Sequence, residues 1–488
     1  MAVERTAHWV FRGAGARVLC VAMTLNAAAA LARAQMGNPS SASNPFYGSV
    51  TLRPATDETL QLSLDEAVRR GLENNLGLRE AESGETLVKG EKNQALQEFL
   101  PTITVSGGTG VFQHDLAAQG FGPGTISKFA SLLGKTGGGF NPITKDDLTQ
   151  GQVNFSQILF SGPVISGWRA AGAAERAAHF AKMSARGEVV QQVATAYLHA
   201  IAAASEVDQA NALEQADRVL FDQAHAAHEA GTAANLDELR ARVQLQAQQQ
   251  AVIAAQNTLD KDLILLKREI GVDPGQKIVL TDATPYSDLA AQTPEEVRAV
   301  AYKNRQDYQN LQNQLVEVKA IHAVYRNQRL PTLTFDGYWG VDKVNGSPSH
   351  GTFAAVGSLN IPLFSEARLR GDEETAAAQL SSVNAQLEDL RGHIDQQVRS
   401  ALLDVDAAHK LVDVARSNVD LATRALSDET DRVNAGVDDN LPLVDAQATV
   451  ASAQSNLIES LYQYNLSKLA LARAAGILEQ QYRVYLGR

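Results

Sequence analysis

Between Gly167 and Ala230 no proline interrupts the chain, and Val189, Val193, Ala196, Ala200, Ala203, Val207 and Ala210 recur at alternating steps of four and three. That spacing predicts a helical seam of the coiled-coil kind, filled mainly by small side chains that let helix axes approach closely. Unbroken, the stretch would extend roughly 95 Å at 1.5 Å per residue. An average helix has only about 12 residues. Further along, Val398, Leu402, Val405, Val412, Val419 and Leu426 keep a similar spacing. The remaining faces of both stretches carry Gln, Glu, Asp and Arg, which water must reach.

A second pattern has a period of two. In residues 332 to 342, Leu333, Phe335, Trp339 and Val341 alternate with Thr332, Thr334, Asp336, Tyr338 and Asp342. From Phe353 to Ile361, Phe353, Ala355, Leu359 and Ile361 share one face, opposite Ser358 and Asn360. Ile103 and Val105 alternate with Thr102, Thr104 and Ser106, and Val153, Phe155 and Leu159 with Gln152, Asn154 and Ser156. Four strands of about ten residues, apolar on one face and polar on the other, fit either a half-buried soluble sheet or membrane β-barrel strands. Residues 116 to 147, rich in glycine, read as a long loop, and Lys343 to His350 with Asn345-Gly346 as a short hairpin turn. If the strands lie in a membrane, Trp339 and Tyr338 are candidates for an aromatic belt.

The two patterns occur twice. Ser63 to Gly107 aligns without gaps to Thr293 to Gly337 at an offset of 230, matching Glu66 with Glu296, Asn74 with Asn304, Lys89 with Lys319, and Leu100-Pro101-Thr102 with Leu330-Pro331-Thr332. Phe160 answers Phe364, Ala230-Gly231 with Asn235-Leu236 answers Ala435-Gly436 with Asn440-Leu441, and Gly271 answers Gly476. We read two copies of one unit, 61–285 and 286–480, each running helix, strand, loop, strand, long helix, turn, long helix. A leader at 35–60 precedes them and a tail at 481–488 follows. Gly231 and Gly436 suit the left-handed position that ends a helix, and Asn235 and Asn440 are suited to cap the next one.

Residues 1–34 read as a secretory signal peptide: Arg5, Arg12 and Arg17 precede an apolar run from Val18 to Leu31 and the small-residue site Ala32-Arg33-Ala34. Cleavage there removes Cys20, the one cysteine of the chain, so no disulfide framework or cysteine-based zinc site is expected. No later run of 18 apolar residues predicts a transmembrane helix. The net charge of −12 argues against nucleic acid as a partner. His225 and His228 lie three apart on a helix with no third metal ligand suggested, and Glu373-Glu374 sits in a charged helix face. With no phosphate loop, nucleophile elbow or zinc-protease motif, no catalysis and no cofactor are expected.

Four strands do not close a barrel of useful bore, and an open sheet edge in hydrocarbon leaves N–H and C=O groups unsatisfied. Other copies must then supply the rest, giving eight, twelve or sixteen strands for a dimer, trimer or tetramer. Here the sequence resembles the TolC-like outer membrane efflux protein family over roughly residues 60 to 480. The resemblance is carried by LSLDEAVRRGLENN, by FLPTITVSG and RLPTLTFDG where the strands begin, by NFSQILFSGP and LNIPLFSEA where they end, and by the two turns at 229–239 and 434–446.

The resemblance implies a mainly α fold with a small β part: a homotrimer with a twelve-stranded barrel in outer-membrane lipid and a periplasmic α-barrel of long helical hairpins. It implies a passive exit duct for a tripartite efflux or type I secretion system, with a periplasmic adaptor and an inner-membrane pump or ABC transporter as partners. It places Gly231, Asn235, Leu236, Gly436, Asn440 and Leu441 at the adaptor-docking tip. The family's acidic gate has aspartates six and nine positions after the second glycine; here these are Pro442 and Asp445, so Asp438 and Asp439 join Asp445 as gate candidates. The alternative reading is a periplasmic coiled-coil scaffold that never enters a membrane.

Overall fold

The computed structural model describes residues 41–50, 54–115, 143–232, 234–282, 286–435 and 440–487, together with 118 and 124. The signal peptide, Cys20 and most of the glycine-rich loop lie outside the described residues. In chain order the elements are β1 (Leu60–Leu62), α1 (Leu64–Asn74), α2 (Leu76–Gln97), β2 (Thr102–Asp115), β3 (Ile143–Phe160), α3 (Gly162–Glu229), α4 (Asn235–Ile270), β4 (Ile278–Leu280), α5 (Pro294–Asn304), α6 (Gln306–Asn327), β5 (Thr332–Val344), β6 (His350–Asn360), α7 (Glu366–Asn434), α8 (Asn440–Ala474) and α9 (Leu478–Tyr485).

Residues matched between the two halves of the sequence do the same local work. Ser63 Oγ accepts the Glu66 N–H at 3.3 Å to open α1, and Thr293 Oγ1 accepts the Glu296 N–H at 3.3 Å to open α5. In the second case the Glu296 carboxylate also accepts the Thr293 N–H at 3.0 Å, completing a reciprocal capping box. Its helix breaks after Asn304, as α1 breaks after Asn74. Gly271 and Gly476 both adopt φ +74 at the ends of long helices, a left-handed conformation that glycine enters without steric cost.

The chain forms two compact units, and each draws on both halves of the sequence. The first comprises the described parts of 1–81, 184–303 and 397–488. Its core is the sealed seam: Val189, Val193 and Ala200 are wholly buried, and Ala196, Ala203, Val207 and Ala210 nearly so. Parallel strands β1 and β4, in register Leu60 to Ile278, pack beside it. Tyr197, fully buried on α3, places its one hydroxyl proton between the Leu62 carbonyl (2.9 Å) and the Asp282 carboxylate (2.7 Å). These three-residue strands carry no periodicity and were not foreseen.

The second unit, 82–183 with 304–396, contains an antiparallel sheet of order β2-β3-β5-β6. Strands β2 and β3 run 14 and 18 residues, longer than expected. Residues 143–147, read above as loop, are the start of β3, because Ile143 to Asp147 pair with Asp115 to Val111 of β2. The β5–β6 connection turns at Asn345 and Gly346, both at positive φ as a tight hairpin requires.

Candidate channel wall and periplasmic turns

The sheet register sorts side chains by face. Pairing places Val105, Val153, Trp339 and Phe353 in one row, and Ile103, Phe155, Gly337 and Ala355 in the row beside it. Most of these positions are exposed: Val105 is 80% exposed, Phe353 78% and Trp339 64%, while Phe155 is half-covered by Phe335. Leaving such side chains in water forfeits the transfer energy of each, so this face requires an apolar environment.

The opposite face is polar through its middle on β2, β3 and β5, and apolar there on β6. One row reads Thr102, Ser156, Asp336, Val356 and the next Thr104, Asn154, Tyr338, Ala354. Ser156 Oγ donates to Asp336 Oδ1 at 2.6 Å, and Asn154 Nδ2 to Ser106 Oγ at 3.0 Å. Tyr338 therefore looks away from Trp339 and does not share a belt with it, because adjacent residues of a strand point to opposite faces. The outer strands β2 and β6 each have one unpaired edge among the described residues.

At the first helix-to-helix turn, Gly231 sits at φ +74 with its N–H on the His228 carbonyl, and the Thr232 N–H returns to Ala227 (2.9 Å each). That pattern closes α3 as a Schellman turn. Asn235 does not cap α4 as expected. The N-cap position is Ala234, without a side-chain bond, and Asn235 is the first helical residue. Leu236 is 55% exposed.

At the second turn Gly436, Asp438 and Asp439 lie outside the described residues, as do the side chains of Asn440 and Leu441, which begin α8. Asp445 is exposed on that helix, with Leu443 buried beside it.

His225 and His228 have a partner that sequence spacing missed: Glu238 of α4. Its Oε1 stands 3.0 Å from His225 Nδ1 and its Oε2 3.8 Å from His228 Nε2. Only the turn brings these residues together. Among the described residues no group of three side chains is arranged to hold a metal ion, and no helix is long and apolar enough to cross a membrane.

Two buried ionisable groups also escaped the sequence reading. Glu269 of α4 is fully buried; loss of water pushes its pKa up to about 8, against a hydrogen bond from Gln192 Nε2 at 3.0 Å. Lys468 of α8 is fully buried; loss of water pushes it down to about 8, against the pull of Asp288. Its ammonium donates to the Ser287 carbonyl at 3.2 Å and lies 4.5 Å over the Tyr464 ring.

An exposed apolar sheet face, a polar reverse face and long helical hairpins are together the features of an outer-membrane channel protein. The family model for outer membrane efflux proteins matches residues 67–272 and 297–477, and the chain belongs to that family. It is an outer-membrane efflux channel protein whose helical part extends into the periplasm, in a family of channels rather than enzymes. It is 24% identical over 354 residues to outer membrane protein TolC of Vibrio cholerae, covering 69% of this chain and 78% of that one. Its fold superposes on a membrane protein from Pseudomonas aeruginosa with a TM-score of 0.71 at 20% identity (85% and 93% of the two chains). The open-state MtrE outer membrane channel of Neisseria gonorrhoeae gives 0.67 at 17% identity (91% and 98%).

Proposed function

We propose that three copies of the chain pool their four-stranded sheets into a twelve-stranded barrel, and that their helical hairpins continue the bore into the periplasm. The observation that carries this reading is a sheet with aligned, largely exposed apolar rows and two edges left unpaired among the described residues. In hydrocarbon such edges must be closed by further strands. The duct passes substrate without catalysis or cofactor, from an inner-membrane pump or ABC transporter, through a periplasmic adaptor, to the exterior. The adaptor meets the turns at Gly231, Asn235 and Leu236 and at Gly436, Asn440 and Leu441. Asp438, Asp439 and Asp445 narrow the far end of the bore, where three copies of each repel one another and favour cations.

Planar-bilayer conductance tests the whole reading. The purified trimer should pass ions with cation preference, and the Asp438→Asn, Asp439→Asn, Asp445→Asn triple variant should conduct more and select less. A detergent-extracted protein that never conducts, with or without those substitutions, would falsify it.

A further inference from the structure

The second unit holds a groove that neither conduction nor docking at the turns uses. About 410 Å³ in volume, it is lined by Lys92 of α2, by Trp168, Arg169, Gly172 and Arg176 of α3, and by Val316 of α6. Arg169, Gly172 and Arg176 follow at steps of three and four, so they share one helix face. The floor is open because Gly172 has no side chain; a Cβ there would meet only Arg176 Nη1, at 3.8 Å. Trp168 forms one wall, edge-on to Phe99 (centroids 6.1 Å apart) and beneath the Lys92 ammonium at 5.5 Å.

The rim is cationic in a chain whose net charge is −12. Lys92 is paired with Glu175 at 2.5 Å, and Arg176 Nε donates to the neutral Asn313 Oδ1 at 3.0 Å. Arg169 is exposed and has no hydrogen-bond or ion-pair partner among the described residues. Two of the three positive charges are therefore uncompensated. An apolar floor beneath uncompensated cations fits an amphiphilic anion.

Position narrows the class. Trp168 follows Phe160, the last residue of β3, by only two helical turns, roughly 12 Å. Phe99, against which it packs, accepts a hydrogen bond on its carbonyl from Gln157 Nε2 at 3.4 Å. Gln157 pairs with Phe335, so it lies on the apolar face of the sheet. Tryptophan and basic side chains at the foot of membrane-spanning strands stand at headgroup level.

We propose that this groove binds an anionic glycerophospholipid from the periplasmic leaflet, with its phosphate between Arg169 and Arg176 and its upper acyl chain against Trp168 and Val316. The assignment rests on the placement of the sheet in the outer membrane, and the test separates the two. Besides Trp9 of the signal segment, the chain has two tryptophans, Trp168 and Trp339. Trp339→Phe leaves Trp168 as the reporter; Trp168→Phe leaves Trp339 as a control on the sheet's apolar face.

Both variants are reconstituted as full chains in phosphatidylcholine vesicles containing a minor fraction of phosphatidylglycerol, with bromine on the upper acyl chain of one lipid or the other. Brominated phosphatidylglycerol should quench Trp168 in preference to brominated phosphatidylcholine, by roughly five-fold for each cation engaged. Adding Arg169→Gln and Arg176→Gln should erase the preference, whereas the double lysine variant, which keeps the charge, should retain most of it. Equal quenching of Trp168 by both lipids, with Trp339 still quenched, overturns the site and leaves the barrel standing. Absence of quenching at Trp339 overturns the barrel placement itself. Displacement of the lipid by millimolar glycerol phosphate would mark a site for soluble phosphate and overturn the lipid assignment.

Discussion

Helices α3 and α7 are nearly equal in length, 68 and 69 residues, and their sequences carry similar seams, yet the chain treats them differently. Within the first unit α3 is enclosed: Val189, Val190, Val193, Ala194, Tyr197 and Ala200 have no exposure. Val398 and Val412 of α7 are buried as deeply, but Leu403 is 70% exposed, and Leu411, Val414 and Leu421 nearly 60%. One long helix seals its seam inside its own chain, and its exposed apolar surface is confined to Val219 beyond that seam among the large apolar residues described. The other keeps an apolar stripe exposed, as the proposed assembly of three copies requires of a helix at its edge.

Substitution on each helix breaks this contrast most directly. Val193→Asp places an unpaired carboxylate in the sealed seam and should cost more than about 3 kcal/mol, losing cooperative melting by circular dichroism. Leu411→Asp should leave helicity intact and abolish the heat-modifiable trimer band on a gel. If the Leu411 variant still assembles, the α7 stripe faces water and the contrast has been misread.

The buried ionisable groups sharpen the comparison with opposite signs. The first hairpin buries an acid, Glu269, and the second a base, Lys468. Glu269 titrates near 8 when folded against 4.5 when unfolded. The folded chain thus holds a proton that the unfolded chain releases, and stability falls as pH rises from 4.5 to 8. Lys468 titrates near 8 folded against 10.5 unfolded. There the unfolded chain holds the extra proton, and stability rises with pH from 8 to 10.5. Glu269→Gln should remove a fall of up to about 5 kcal/mol, and Lys468→Met a rise of up to about 3 kcal/mol, since each pKa unit is worth about 1.4 kcal/mol. Melting temperature against pH for both variants checks the two windows separately. A Glu269→Gln profile that keeps the acid-side fall would show that another group supplies it.

How much of this was legible in the sequence follows from the range of each signal. All seven seam positions of α3 are buried as their spacing predicts, because a heptad-like period over three turns and more averages out local exceptions. Strand faces were equally legible, since alternation fixes which side chains share a face whatever the partner. Strand ends were not. Asp146 and Asp147 read as loop, yet β2 pairs with both and Asn345, just past β5, hydrogen-bonds to them, which overrides their low strand propensity. The burial of Glu269 and Lys468 and the groove beneath Trp168 depend on residues far apart in the chain, and the Glu238 partnership with His225 and His228 depends on how the turn between them closes; no periodic pattern encodes either. Asn235 failed as a cap by one position, the usual margin at a helix end.

The smallest effect tests whether the two turns are built alike. Gly231 holds φ +74 over open space, so a methyl group added there clashes with nothing and feels only the left-handed backbone. Gly231→Ala should therefore cost about 1 kcal/mol, read as a small fall in melting temperature. Gly436, its match in the second half of the sequence, should cost the same on substitution if that turn closes α7 by the same hydrogen-bond pattern. A Gly436→Ala variant that melts with wild type would mean that the second helix ends in another conformation. It would also mean that the proposed gate residues Asp438 and Asp439 sit in a turn built differently from the first.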